Sequence, residues 1–457
     1  MYDIRGLVGS EMTFENVKAI GAGFVDELNL AGKSVVVGHD MRDSSAGFVE
    51  AFIDGATARG ADAINLGLCS TDECYFASGN LDAASAMFTA SHNPATYNGI
   101  KLSRAGARGI SKDTGLSNIL QRAEKYLELG VEEVAEVGYS SDYDTLNNYA
   151  SYLRELVDLS RIRPLKIVID AANGMGGLTA PAVLGTAANL PHLPVEIIPM
   201  YFELDGSFPN HEANPLDPKN LVDLQKAVLS HGADVGLAFD GDADRCFVID
   251  ETGQPVTPSA VAAIVSWSEI ARAQAKGEKD ITVLHNLLTS RAVAEFIEQA
   301  GAKPVRTRVG HSLIKDQMAA TGAIFGGEHS AHYYFKDFFG ADNGMLAAMH
   351  VLRELGSQQK PLSEFASRFN PYFSSGEINS SVSDAAAKLG QIRNDYAGAS
   401  VDELDGLTFS SDAGQSPWWW FNVRSSNTEP LLRLNVESED LATCQAISDK
   451  VLGIIRS

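Results

Sequence analysis

The sequence predicts an α/β fold, because strand-like and helix-like segments alternate along most of the chain. The order strand, loop, helix, strand occurs three times, and an unusual polar loop follows each repeat. From about residue 371 the order changes to strand, helix, strand pair and closing helix. We therefore predict three topologically similar mixed α/β domains followed by a smaller C-terminal α+β domain.

Length and composition agree with several soluble domains. The chain has 457 residues, of which 45% are hydrophobic and 21% charged, and its length alone suggests about three domains. The formal net charge of −23 argues against nucleic acid or an anionic membrane as the main partner. An anionic small substrate remains possible, because it needs only local cations.

Cysteine usage and hydropathy predict a cytoplasmic protein. The four cysteines have neither zinc-site spacing nor the pattern of a disulfide framework, which fits a reducing compartment. We find no signal peptide at the start, and no apolar run approaches the about 18 residues of a membrane span.

Hydrophobic spacing defines the elements of each repeat. In the first helix, for example, Phe48, Phe52 and Ala56 share one face. The predicted segments are 33–38, 45–60 and 61–66 in the first repeat, 165–170, 176–188 and 195–200 in the second, and 281–284, 290–300 and 304–309 in the third. In the last domain they are 374–383, 383–396, 418–424, 431–436 and 441–456.

Polar, turn-rich stretches at 139–145 and 250–258, and the change of pattern near 371, separate the predicted domains. The expected domain boundaries are 1–142, 143–250, 251–370 and 371–457.

A cluster of carboxylates lies between two apolar, strand-like stretches in the second repeat. Asp240, Asp242 and Asp244 alternate with small residues, and Arg245 follows them. Like charges at this spacing repel unless a cation lies among them, and carboxylate oxygens suit Mg²⁺, Ca²⁺ or Mn²⁺. An EF-hand loop is excluded because Arg245 stands where that motif needs glycine. An exposed acidic turn is the alternative, which the apolar flanks disfavour.

The loop at 89–94 contains a candidate nucleophile, Ser91, beside His92. A serine can accept a phosphoryl group when a metal or cation neutralises the charge. Lys101, in the segment 98–101, could bring such a cation to the same place. Considered singly, these residues also fit a turn serine, a surface histidine and a solvated lysine at the end of a strand.

Two further loops carry clusters of polar side chains. Glu328, Ser330 and His332 alternate and would face one side of an extended loop. Such a row suits sugar hydroxyls, and it is thin for a zinc site. The loop at 424–430 combines Arg424 with hydroxyls and an amide, which together suit a phosphate, and Arg433 could add a second cation. The alternatives are a polar surface hairpin and an ordinary turn.

Taken in order, the four loops resemble those of the α-D-phosphohexomutase family. The matching segments are TASHNP (89–94, phosphoserine loop), DGDADR (240–245, magnesium loop), GEHSAH (327–332, sugar loop) and RSSNTEP (424–430, phosphate loop). The segments 2–6, 98–101 and 309–315 also look like family segments. The resemblance covers essentially the whole chain and is closest to bacterial phosphomannomutases.

This resemblance implies four domains around a central cleft and a phosphoryl group carried on Ser91. The three aspartates, together with that phosphate, would hold Mg²⁺. The enzyme would phosphorylate a hexose monophosphate, the resulting hexose 1,6-bisphosphate would turn over in the cleft, and Ser91 would regain a phosphoryl group. The net reaction interconverts mannose 6-phosphate and mannose 1-phosphate, with a hexose 1,6-bisphosphate as activator. The protein would be a monomer or a homodimer.

The resemblance also assigns roles to individual residues. His92, Lys101 and His332 are the general acid–base candidates, and Arg245 supports the metal loop and reaches phosphate or sugar. The residues expected to bind substrate are Arg5, Gly310, His311, Glu328, Ser330, His332, Arg424, Ser426, Asn427, Thr428 and Arg433.

The sequence departs from the family pattern at three places, and the two at Ala331 and near Leu287 bear on substrate specificity. Ala243 and Ala331 replace the usual glycines, and Leu287 stands near a position where dual-specificity relatives often carry lysine. His285 or Asn286 could substitute for that lysine. Phosphoglucomutase and phosphoglucosamine mutase activities remain alternatives. Two further hypotheses are a phosphatase that uses Asp240 as nucleophile and a non-catalytic phosphosugar-binding regulator.

Overall fold

The structure is a computed structural model. It describes residues 3–425 and 431–457, with the backbone alone at 311–312. Four sheets follow one another along the chain, and helices accompany each of them. The first three combine parallel and antiparallel strands, and the fourth is antiparallel. This architecture confirms the predicted fold class.

The first sheet is built around β2, which pairs in parallel with β3 and β4. Its strand order is β1-β5-β4-β2-β3-β7, with β6 on β5. Strand β5 runs antiparallel to β4, so the Ser91 loop leaves the carboxyl end of β4 and returns along β5. The elements are β1 Ile4–Leu7, α1 Phe14–Leu28, β2 Ser34–His39, α2 Ser45–Ala58, β3 Asp62–Leu68, α3 Thr71–Asn80, β4 Ala84–Phe88, β5 Tyr97–Arg104, β6 Arg108–Gly109, α4 Leu116–Leu129 and β7 Ser140–Asp142.

The second sheet has the order β12-β11-β10-β8-β9. Residues 240–245, called the metal loop below, join β10 to its antiparallel neighbour β11. Strands β8 and β9 begin and end where the sequence predicts, and each contains a run of isoleucine or valine. The elements are α5 Leu146–Leu156, β8 Leu165–Asp170, α6 Gly176–Val183, β9 Val195–Met200, α7 Val222–His231, β10 Val235–Phe239, β11 Cys246–Asp250 and β12 Pro255–Val256.

Helix α6 ends five residues before the predicted end at 188. Arg154, on α5, donates from Nε to the carbonyl of Val183 (2.7 Å) and from Nη2 to that of Gly185 (2.5 Å). The carbonyls at the end of the helix therefore have a side-chain partner from outside it, a contact that local sequence does not reveal.

The third sheet has the order β14-β13-β15-β16-β17, and the sugar loop joins β15 to β16. Its elements are α8 Pro258–Ala275, β13 Thr282–Asn286, α9 Arg291–Gln299, β14 Lys303–Thr307, α10 His311–Thr321, β15 Phe325–Gly327, β16 Tyr333–Phe335, β17 Ala341–Asp342, α11 Gly344–Gly356 and α12 Leu362–Ser367.

The C-terminal sheet is ordered β18-β22-β21-β20-β19, and α13 and α14 pack on its apolar face. Its elements are β18 Phe373–Ser381, α13 Ala385–Asp395, β19 Ser400–Asp402, β20 Leu407–Ser410, β21 Trp419–Ser425, β22 Leu431–Ser438 and α14 Leu441–Arg456. The closing helix has the predicted bounds.

Buried side chains form separate cores. One continuous cluster joins the second and third domains, whereas most of the first domain and the whole C-terminal domain have cores of their own. Within the described residues, no helix is both long and apolar enough to cross a bilayer.

Candidate active site

The metal loop brings three carboxylates together between β10 and β11. Asp240, Asp242 and Asp244 are buried, and one oxygen from each lies within 4.8 Å of the others. The Oδ1 atoms of Asp242 and Asp244 are buried and have no hydrogen-bond partner in the described part of the chain. Buried, unpartnered carboxylate oxygens are costly unless a cation occupies the site. This donor set therefore fits Mg²⁺.

Two cations of the chain itself already act on this cluster. Lys101 Nζ donates to Asp242 Oδ2 (2.7 Å) and to Asp244 Oδ2 (2.6 Å). Arg245 Nε donates to Asp240 Oδ2 (2.8 Å). Burial raises the pKa of Asp240 to about 7. Burial also acts to raise the pKa of Asp242, but the neighbouring Lys101 ammonium holds that pKa below its usual range.

The Ser91 loop directly contacts the metal loop. Ser91 is buried, and its Oγ donates to Asp240 Oδ2 at 2.9 Å. A Cβ on Gly241 would lie only 2.4 Å from the carbonyl oxygen of Ser91, so this approach requires glycine. Ser91 has a left-handed backbone (φ 51°), and its N–H donates to Thr89 Oγ1 (2.8 Å). The structure thus places the candidate nucleophile against the metal loop.

A buried arginine that the sequence analysis did not identify supports the Ser91 loop. The guanidinium of Arg42 donates from Nε to Asp40 Oδ2 (3.1 Å), and Phe208 covers it at 5.1 Å. Its two terminal nitrogens donate to four loop carbonyls, those of Ser91 (2.9 Å), Asn93 (2.6 Å), Pro94 (2.8 Å) and Tyr97 (3.0 Å). Arg42 therefore holds the backbone of the loop that presents Ser91.

His92 is a neutral imidazole in this arrangement. Its Nδ1 lies 2.6 Å from Arg245 Nη2 and 3.2 Å from Ser91 Oγ. Because a guanidinium can only donate, Nδ1 accepts and Nε2 carries the proton. Burial, and then the charge of Arg245, hold the pKa of His92 well below its usual value.

The sugar loop places Glu328 in a supporting position. Glu328 is only 2% exposed. Its Oε1 accepts from the N–H of Gly310 (3.2 Å) and from Asn286 Nδ2 (3.4 Å), and its Oε2 accepts from Tyr334 (2.8 Å). Asn286 and Gly310 are thus tied to this carboxylate. His285 is held separately, with its Nδ1 2.8 Å from Thr289 Oγ1.

The other two residues of the expected polar row lie beside the metal loop. Ser330 Oγ is 2.9 Å from His332 Nδ1, and His332 Nε2 is 3.9 Å from Asp244 Oδ1. The interleaved His329 turns away, with its Nδ1 3.2 Å from Ser259 Oγ. The loop is not extended as expected, because the N–H of Ala331 donates to the carbonyl of Glu328 (3.1 Å) and closes a turn.

Asp342 and Lys315 belong to the same region but were not singled out from the sequence. Ligand atoms of Asp342, Asp244 and His332 lie within 4.8 Å of one another. Lys315 Nζ lies 2.8 Å from Asp342 Oδ1 and 3.9 Å from the centre of the Tyr75 ring. The only available signal was that Lys315 ends the family-like segment 309–315.

Two alanines adopt the backbone conformation that favours glycine. Ala243 in the metal loop has φ 62°, and Ala331 in the sugar loop has φ 64°. The left-handed region is unfavourable for a residue with a Cβ. Both departures from the family's glycines therefore add local strain while leaving the turns intact.

The remaining expected substrate-binding residues lie outside the metal and sugar loops. Arg5 Nη1 donates to Asn93 Oδ1 (2.5 Å), next to the Ser91 loop. Arg424 and Arg433 each lie 3.1 Å from a different oxygen of Glu377. Ser426, Asn427, Thr428 and the side chain of His311 lie outside the described residues.

A cavity of about 760 Å³ separates the third and fourth domains. Leu287 lines it together with Arg291 and the aromatic stretch Trp418 to Trp420. Polar contacts bridge the same interface: the N–H of Arg291 donates to Glu437 (2.9 Å), and the N–H of Val309 donates to Asp405 (3.2 Å).

Four family models match the chain in succession. They describe phosphoglucomutase/phosphomannomutase alpha/beta/alpha domain I (residues 1–129), domain II (147–253), domain III (257–372) and the C-terminal domain (377–454).

Full-length relatives and a solved structure agree with these matches. A protein named phosphohexose mutases from Xanthomonas campestris pv. campestris is 38% identical over all of this chain and 98% of that protein. A phosphomannomutase from Salmonella typhimurium is 37% identical over 99% of this chain and 98% of that protein. The crystal structure of a phosphoglucomutase/phosphomannomutase family protein from Burkholderia thailandensis superimposes with a TM-score of 0.85 at 29% identity, covering 100% of this chain and 96% of that one.

These matches confirm the resemblance first seen in the four loops. The chain belongs to the phosphoglucomutase/phosphomannomutase family of phosphohexomutases, enzymes that transfer phosphate within a sugar.

Proposed function

We propose that this enzyme interconverts mannose 6-phosphate and mannose 1-phosphate through a phosphorylated Ser91. The observation that supports this most strongly is the 2.9 Å contact between Ser91 Oγ and Asp240 Oδ2, beside two carboxylate oxygens that have no hydrogen-bond partner among the described residues. The phosphomannomutase from Salmonella typhimurium, 37% identical over the full length, favours mannose phosphates. Activity on glucose phosphates is the second candidate, favoured by the phosphohexose mutases relative.

Asp240, Asp242 and Asp244 would hold Mg²⁺, which supplies positive charge beside the transferring phosphoryl group. Phosphoryl transfer depends chiefly on positioning and charge neutralisation. Lys101 adds a cation at the same cluster, because its ammonium already bridges Asp242 and Asp244.

His332 is our choice among the three general acid–base candidates. Lys101 is committed to two carboxylates, and Nδ1 of His92 faces Arg245. His332 is partly exposed on the sugar loop, with Nε2 3.9 Å from Asp244. It would exchange a proton with the sugar hydroxyl that attacks or leaves.

The distal phosphate would be held by Arg424 and Arg433 in the fourth domain. Ser426, Asn427, Thr428, Arg5, Gly310 and His311 would complete the contacts to substrate. After phosphorylating the monophosphate, Ser91 would recover a phosphoryl group from the other end of the hexose 1,6-bisphosphate. Added bisphosphate would activate the enzyme by phosphorylating Ser91. The domain boundaries and a monomeric or homodimeric state stay predictions.

A coupled assay on mannose 1-phosphate and glucose 1-phosphate, with Mg²⁺ and a bisphosphate activator, tests this proposal. We expect turnover of the mannose substrate and loss of nearly all turnover in Ser91→Ala. Mass spectrometry should find phosphate on Ser91. Phosphate on Asp240 instead would favour the phosphatase hypothesis, and no product from any hexose 1-phosphate would refute the mutase.

A further inference from the structure

Two arginines of the fourth domain stand side by side and share one counter-ion. Arg424 on β21 is directly opposite Arg433 on β22. Like charges directly opposite each other on neighbouring strands are destabilising. Glu377, on the third strand β18, resolves this conflict: its Oε2 accepts from Arg424 Nη2 and its Oε1 from Arg433 Nη1, each at 3.1 Å.

A local irregularity of β18 accompanies the placement of Glu377. The register between β18 and β22 shifts between Ser374 and Glu377, and Gly376 has a φ of +66°. A bulge of this kind re-aims the side chains that follow it. After the shift Glu377 pairs with Asn435, two residues along β22 from Arg433, which is within the diagonal reach of a long side chain.

The arginines retain donors for a ligand. The Nε atoms of Arg424 and Arg433 are buried and have no hydrogen-bond partner in the described part of the chain. Two guanidiniums and one carboxylate leave a net charge of +1. Such a cluster suits an oxyanion, which can accept the remaining N–H groups. A bound phosphate would then lie beside the negative charge of Glu377.

The charge of Glu377 reaches His329 in the sugar loop. Burial lowers the pKa of His329, while the nearby carboxylate of Glu377 acts in the opposite direction. The charge of Glu377 is therefore felt across the boundary between the third and fourth domains.

We propose that Glu377 is a positioning residue and the resident counter-ion of the phosphate-binding arginines. It holds both guanidiniums in position, and its negative charge lowers their affinity for phosphate. A weaker grip is useful when the bound bisphosphate must release, turn and bind again. This inference rests on the proposed function, in which Arg424 and Arg433 hold the distal phosphate.

The isosteric variant Glu377→Gln tests the proposal by removing the charge and keeping the shape. Inorganic phosphate is titrated calorimetrically into the full-length protein at low ionic strength, without Mg²⁺ or sugar. We expect the variant to bind phosphate about three- to tenfold more tightly. The carboxylate of Glu377 repels the bound phosphate, and in a partly solvated site this repulsion weakens binding by about that factor. The gain should vanish in the double variant with Arg433→Met. In turnover, KM and kcat should both fall.

A matched control is Glu403→Gln, which removes the same charge from an ion pair with Arg393 elsewhere in this domain (2.8 Å). It should leave phosphate affinity unchanged. Unchanged or weaker phosphate binding in a folded Glu377→Gln protein would overturn the proposal. Glu377→Asp keeps the charge and provides a second test if the glutamine variant is unstable. It should bind phosphate like the wild type, and a gain equal to that expected for glutamine would also overturn the proposal. The titration needs no turnover. If the wild type were inactive, the proposed function would be refuted, but the effect of Glu377 on phosphate binding could still be measured.

Discussion

Replacing Arg42 by lysine should strongly lower kcat, although Arg42 makes no proposed contact with the substrate. In the structure the guanidinium makes five side-chain hydrogen bonds, four of them to carbonyls of the Ser91 loop. Lysine has only three donors, so at least two bonds are lost. Hydrogen bonds of a charged group contribute about 1.5–3 kcal/mol each. The local loss is therefore about 3–6 kcal/mol.

That loss should appear mainly in kcat. The loop fixes Ser91 in a left-handed conformation against Asp240, and a displacement of about 1 Å can lower a rate about 10²-fold. We expect kcat to fall by that order in Arg42→Lys, with KM nearly unchanged, because Arg42 is buried beneath the loop. Arg42→Met, which keeps no donor, should be worse, so that lysine partly rescues the rate.

Steady-state kinetics well below the unfolding temperature of each variant would measure this effect. Arg59→Lys is the control, since Arg59 lies in the same domain and pairs with Asp26 (3.2 Å) away from the loop. If Arg42→Lys keeps more than half of the wild-type kcat, Arg42 does not position Ser91. An equal loss in Arg59→Lys would point to general destabilisation of the domain instead.

Three further predictions concern strain, pH and metal. Ala331→Gly should change the unfolding free energy by less than about 1 kcal/mol, because relief of the left-handed strain offsets the lost methyl group and the added entropy of the unfolded chain. The control Ala348→Gly, in helix α11, should lower the unfolding free energy by about 2 kcal/mol. Equal losses of the two variants in chemical denaturation would contradict this prediction. Burial alone would raise the pKa of Glu269, but its bonds to His350 and Arg272 lower the pKa to about 2, so its stabilisation is complete above pH 4.5 and is lost as pH falls through about 2. Glu269→Gln should thus be less stable than the wild type by about 3 kcal/mol at pH 7, and the gap should narrow steadily in denaturation curves taken below pH 4.5; a constant gap would refute the assignment. Asp242→Asn should weaken Mg²⁺ binding, which calorimetry would measure. The loss should exceed the about 10–100-fold that is typical when a residue that only supports a metal ligand is changed. An unchanged Mg²⁺ affinity would show that Asp242 is not a metal ligand.

Local patterns were sufficient for several of the elements and for choosing the loops with candidate site residues. Short segments rich in isoleucine and valine indicated β8 and β9, and the spacing of carboxylates indicated the metal loop. Arg42 escaped notice because its loop partners lie 49 to 55 residues away in sequence, and no local pattern marks it. Glu377 and Asp342 are likewise single acidic residues whose importance depends on which strands become neighbours.

The protonation of His92 could not be predicted for a related reason. It is set by a guanidinium 153 residues away, which fixes the acceptor nitrogen of the ring. Sequence shows which side chains are able to titrate, but the order of the general acid–base candidates depends on their partners in space.

The separate core of the fourth domain determines which parts of the protein a substitution in that domain would destabilise. Its apolar cluster is independent of the cluster that joins the second and third domains, and polar hydrogen bonds bridge its boundary with the third domain. A substitution such as Phe421→Ala would therefore loosen the arginine pair while leaving Ser91 and its aspartates assembled. Destabilising substitutions in the fourth domain should therefore weaken binding of the sugar phosphate while the rest of the protein stays folded. Destabilising substitutions in the core shared by the second and third domains should instead lower the amount of folded protein.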